Sequence, residues 1–100
     1  MSFEVEIMPS ALTELKAVKV FYRRQIAEAI DEQLTQEPFK ETKNRKMMKD
    51  PNPSFEFEPP LWELRVGTFR VFYDGSEAEQ MVFVRAIKEK PSHARTEDVL

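Results

Sequence analysis

The sequence predicts one α+β domain: an N-terminal strand, two helices, then a three-stranded antiparallel meander. Three observations carry this. Phe3, Val5 and Ile7 alternate with Glu4 and Glu6, the period of a strand with one buried face. Tyr22, Ile26, Ile30 and Leu34 recur every four residues with Ala29 beside them, which marks the apolar stripe of a helix. Residues 61–74, LWELRVGTFRVFYD, read as two amphipathic strands about a tight Gly67-Thr68 turn. A chain of 100 residues buries roughly two thirds of its unfolded surface in one small core, so residues 1–100 are read as a single domain.

Taken in order, the first strand stops at Pro9 and Ser10. Ser10 is placed to cap a helix with Thr13 and Glu14 in its first turn and Leu12 and Leu15 as apolar contacts. A bend at residues 17–19 separates it from the second helix, which must end near Glu37 because Pro38 disfavours helical geometry before it. Residues 39–60 lack periodicity and hold four prolines, so they read as a long connection. Phe55 and Phe57 are expected to tether it to the core, since Glu56 and Glu58 would repel phosphate. Gly67 as first residue of the turn suits a type II′ hairpin, which needs positive φ there. The hairpin places Arg65 and Arg70 on facing strands. DGSEAEQ then forms a polar turn, and MVFVRAIK, the most apolar strand, suits an interior position under the helices. The tail from Glu89 is expected to be irregular or to end in a short turn.

Composition excludes several functions. There is no long apolar run to span a membrane, and the acidic, alternating N-terminus does not read as a signal peptide. The absence of cysteine removes disulfides, thiolate zinc sites and thiol nucleophiles, and fits a cytoplasmic protein. One histidine and no ligand-like carboxylate spacing argue against a metal, two glycines leave no phosphate loop, and Ser76 and Ser92 lack a nucleophile's context. No cofactor is expected. The net charge of −3 is unlike a nucleic-acid-binding domain, but it is unevenly spread. Residues 39–50 hold five Lys/Arg against two Asp/Glu, and residues 80–100 hold four against three. If these segments converge they would make one locally positive face. The chemistry compatible with such a face is metal-free RNA cleavage, in which the substrate's 2′-hydroxyl attacks the adjacent phosphate and the protein supplies a base, an acid and cations.

Leu64, Arg65, Val66, Gly67, Phe69, Arg70, Val71 and Tyr73 reproduce in order the L-R-x-G-x-(F/Y)-R-(V/L)-x-Y core that opens the C-terminal sheet of the RelE/ParE superfamily of toxin–antitoxin toxins, and the chain resembles that superfamily over its whole length. The resemblance implies a RelE-like fold and a toxin held by a small cognate antitoxin. Its leading functional implication is a ribosome-dependent mRNA endoribonuclease that blocks translation. The residues implied for catalysis are Arg70, Arg65, Lys90 and His93, the last as proton donor. Those implied for RNA binding are Lys43, Arg45, Lys46, Lys49, Arg85 and Lys88. The sequence departs from the pattern at Glu63, where some active members carry lysine, and in a tail without tyrosine. Two other implications stand beside the first: a ParE-like toxin that inhibits DNA gyrase by binding, and an inactive RelE-like module that binds an antitoxin. The structural alternative for Arg70 is an ion pair with Glu63 or Asp74, and Trp62 and Phe72 are read as core or partner contacts.

Overall fold

A computed structural model describes residues 2–100. Strand β1 (Glu4–Ile7) leads into α1 (Pro9–Lys16) and α2 (Val20–Leu34). A short β2 (Arg45–Met47) precedes β3 (Trp62–Val66), β4 (Phe69–Ser76) and β5 (Met81–Glu89), and a 3₁₀ turn closes the chain at Thr96–Asp98. The sheet order is β1-β5-β4-β3-β2, with β1 parallel to β5 and the other pairs antiparallel. The expected strand, helix pair and meander are all present, and β5 is an interior strand.

The alternation of side chains across each strand gives the sheet two faces. One is covered by the helices. Ala11, Leu15, Ile26, Ile30 and Leu34 pack there against Trp62, Leu64, Phe69, Val71, Tyr73, Val82, Val84 and Ile87. The other face has no helix, yet it is not bare. Leu61, Phe72 and Ala86 form a second small core on it, covered by Met48, Phe55 and Phe57 from the long connection and by Val99 and Leu100 from the tail. Phe55 and Phe57 are therefore tethers, as expected, and the tail has apolar anchors that its composition concealed.

Four local features differ from the sequence reading. Pro9 opens α1 at its first helical position, with Met8 as an extended N-cap, so Ser10 lies inside the helix and caps nothing. Proline has no N–H to lose there and its fixed φ already suits the helix. α2 ends at Leu34 rather than near Glu37, because the chain turns through a positive φ of 44° at Glu37 and buries Pro38, whose carbonyl accepts the Tyr73 hydroxyl at 2.6 Å. The connection contains β2, too short and too basic to announce itself; its outer edge is occupied by the chain itself, as Thr42 N–H donates to Arg45 O and Met47 N–H to Glu41 Oε2. Finally, β4 runs on through Gly75 to Ser76. A Cβ at Gly75 would lie 2.1 Å from Met81 O and 2.8 Å from the Phe39 ring, so only glycine lets the strands and that ring close together.

The hairpin turn itself is as expected. Gly67 has φ of 59° and Thr68 is not among the positive-φ residues, the pattern of type II′ rather than I′.

Candidate functional site

The two-residue turn sets a register in which Arg65 faces Arg70, and Arg70 faces Lys88 on β5. Residues directly opposite in an antiparallel pair share a face, so the three cations form a row across the helix-free side of the sheet. Lys90 adjoins the row at the turn, its N–H donating to Thr68 O at 2.7 Å. Of this row only Lys88 and Lys90 come from the two basic segments expected to converge; Arg65 and Arg70 are the hairpin pair.

One step in from the row lies Glu63, opposite Lys46 and Phe72, with a fully buried side chain. Its Oε1 sits 3.2 Å from Arg70 Nε, 3.5 Å from Arg65 Nε and 3.4 Å from the Thr96 hydroxyl, which donates to it from the tail. The Arg70 Nε contact is a charge contact outside hydrogen-bond alignment, and Glu63 Oε2 has no partner among the described residues. Arg70 in turn is only 10% exposed at its side chain and donates through Nη1 to the Gly67 and Phe69 carbonyls at 2.9 and 2.8 Å. Burial holds its guanidinium below the ordinary value, Glu63 raises it and Arg65 lowers it further. An arginine so placed remains cationic. Arg70 is thus not an exposed strand arginine, and the pairing with Glu63 is the one formed.

The remaining nominated residues divide sharply. Arg45 is buried; it donates to Gln33 O, Gln33 Oε1 and Lys40 O at 2.8–3.1 Å and so closes the C-terminal end of α2. Arg85 sits at the β-bulge opposite Phe72 and Tyr73, donates to Asp74 Oδ2 at 2.8 Å and lies over the Phe83 ring at 5.3 Å. Lys88 reaches round the edge of β5 to Glu14 of α1, whose other oxygen accepts the Ile87 N–H where β1 has ended. Arg65 is half-exposed, Lys90 half-buried, and Lys43, Lys46, Lys49 and His93 are exposed.

The first basic segment meets the tail in a groove of about 700 Å³ beside β2, but without any cation of the second segment, so no positive face forms there. Lys46 and Lys49 line it together with Glu41, Asp50 and Glu97. Among the described residues no cluster of His, Asp or Glu could hold a metal ion, and no helix is long and apolar enough to cross a membrane.

In the sequence Glu63 stands as a departure from a pattern and as one of two ion-pair partners open to Arg70. The signal for its role was present: a two-residue turn after Val66 pairs residue 65 with 70 and 63 with 72, which puts Glu63 beside both arginines on one face. Thr96 carried no comparable signal, because its contact depends on how the tail folds back.

A mixed sheet of this order, with a helix pair on one face and paired arginines at the hairpin, is the architecture that the RelE/ParE resemblance implies. The family model described as ParE toxin of the type II toxin–antitoxin system parDE matches residues 5–90, and the chain belongs to that family. It is the toxin component of such a pair. Solved structures similar to it include the archaeal RelE–RelB complex from Pyrococcus horikoshii, at 18% identity and TM-score 0.69 over 92% of this chain and 99% of that one. The RelBE2 toxin–antitoxin complex from Mycobacterium tuberculosis matches at 16% identity and TM-score 0.71 over 90% and 100%. A mutant of the E. coli toxin RelE in the free state matches at 20% identity and TM-score 0.66 over 92% and 86%. No curated protein sequence matches the chain.

Proposed function

We propose that this toxin disables its target by binding, as in ParE-like inhibition of DNA gyrase, and that a small cognate antitoxin holds it in check. The observation that carries the reading is the state of the arginine row. Arg70 is turned into the fold by Glu63 and two carbonyls, Arg45 and Arg85 are likewise engaged with protein acceptors, and Lys46 and Lys49 share their groove with Glu41, Asp50 and Glu97. RNA cleavage needs cations free to meet developing phosphate charge; inhibition by binding needs only a stable surface. The antitoxin follows from family membership, and the similar structures that are toxin–antitoxin complexes support it.

The test is a paired assay on the purified protein. Gyrase supercoiling is expected to be inhibited and ribosome-dependent mRNA cleavage to be absent; in cells, replication should arrest with an SOS response before protein synthesis falls. Cleavage of ribosome-bound messenger RNA with gyrase unaffected would overturn the reading.

One observation favours RNA cleavage as a second reading: Arg65, Arg70 and Lys88 form a single row, with Lys90 beside it. In that reading the tail lifts from Glu63, His93 supplies the proton, and Arg70→Ala lowers cleavage about 10²–10³-fold.

A further inference from the structure

The corner between α1 and α2 carries a feature that neither the core nor the arginine row uses. All four Lys/Arg of the first 38 residues, Lys16, Lys19, Arg23 and Arg24, fall within residues 15–27, the longest acid-free run in the sequence. Between them stand three consecutive apolar residues, Val20, Phe21 and Tyr22, exposed to 62, 68 and 43%. Consecutive residues point to different sides of a helix, so a core-facing stripe cannot account for all three.

The corner is also built rigidly. Arg23 donates to Lys16 O and Val18 O, both at 2.9 Å, and so ties the end of α1 to the start of α2. Phe21 meets Tyr22 edge-to-face at 5.3 Å, and Tyr22 meets Phe69 at 5.7 Å, an aromatic path from solvent to the core. Beside it opens a cleft of about 570 Å³ lined by Ala17, Val18, Lys19, Tyr22, Phe69 and Ile87, with Glu14 and Glu89 at its margin. Glu14 is already engaged by Lys88 and the Ile87 N–H.

We infer that this corner is a docking surface for an acidic segment of a partner protein that carries spaced aromatic or aliphatic anchors. The anchors enter the cleft and cover Phe21 and Tyr22, while the acidic residues meet Lys16, Lys19 and Arg24. Charge complementarity selects the occupant: this is a cationic island on a chain of net charge −3. The aliphatic lining and the two marginal carboxylates favour a peptide over a phosphate backbone. The inference rests on the reading that the toxin is held by a protein partner.

The probe is a phage-displayed library of random dodecapeptides panned on the immobilised full-length protein. Enriched peptides are expected to be rich in Asp and Glu with regularly placed Leu, Phe, Tyr or Trp, and their binding to weaken with salt. Binding of a synthetic enriched peptide should fall at least about tenfold in Phe21→Ser and in Lys16→Glu/Lys19→Glu, as at a binding hot spot. It should stay within about twofold in Lys40→Glu, beyond the far end of α2. Because Phe21 is exposed, Phe21→Ser should keep the parent's thermal unfolding. Peptides without acidic bias, or with binding indifferent to both variants, would overturn the inference. So would a single-stranded RNA oligonucleotide that binds the parent and is lost in Phe21→Ser, since the aromatics would then be a stacking platform. Growth arrest is read separately, so a harmless protein that still selects acidic peptides supports the docking surface and counts only against the toxin reading.

Discussion

The helix-free face of the sheet and the α1–α2 corner both combine arginine or lysine with aromatic side chains, and they handle them in opposite ways. On the sheet, each guanidinium of the inner set is buried or half-buried, paired with Glu63 or Asp74 or with carbonyls, and Phe72 lies beneath Phe55 and Phe57 of the loop and Val99 and Leu100 of the tail. At the corner, Lys16, Lys19 and Arg24 point to solvent and Phe21 is two-thirds exposed. Arginine density alone therefore does not locate a recognition surface. A cation enclosed with its counter-charge belongs to the frame; a cation beside uncovered aromatic surface remains available to a partner.

Stability measurements should separate the two regions, and the largest effect is expected at Arg70. Arg70→Ala leaves the fully buried Glu63 carboxylate without its closest cation and should cost about 3–5 kcal/mol by urea unfolding. A loss under about 0.5 kcal/mol would place Arg70 with the surface cations instead. Arg45→Ala comes next. It removes charged donors from Gln33 and Lys40 at the end of α2, and a loss of about 2 kcal/mol is expected, whereas Lys43→Ala should stay within about 0.5 kcal/mol.

A smaller effect is expected from pH. Burial pushes the Tyr73 phenol well above its ordinary range, with Arg45 opposing, and its hydroxyl donates to Pro38 O. The folded state thus favours the protonated phenol. Its contribution is fully present below the unfolded pKa of about 10 and should decline as pH rises above it. Tyr73→Phe should lose about 1 kcal/mol at neutral pH and flatten that alkaline decline; an unchanged alkaline limb would assign it to other groups. The smallest effect belongs to the corner, where Phe21→Ser should leave unfolding within about 0.5 kcal/mol of the parent.

Sequence resolved the features whose physics is local. The period of Ile26, Ile30 and Leu34, the Gly67 turn and the apolar β5 each depend on a few neighbouring residues, and each is present. It did not resolve features made by residues far apart in the chain. Glu63 is buried because Thr96 and the tail close over it, and Arg45 leaves the surface because α2 ends beside it. Tyr22 reads in the sequence as part of the core stripe, although only Ile26, Ile30 and Leu34 of that stripe are buried.

The most direct measurement of the central claim, that the arginine row is frame rather than reaction centre, is growth arrest by Glu63→Leu/Arg70→Met. Removing both charges together with side chains of similar volume leaves no unpaired buried ion, and such exchanges are commonly neutral or stabilising, by up to about 4 kcal/mol. Unfolding should confirm that the double variant is folded at the expression temperature. The double variant is expected still to arrest growth as the parent does, with gyrase inhibited. A folded double variant that is harmless to the cell, while Glu63→Gln alone remains toxic, would return Arg70 to the chemistry.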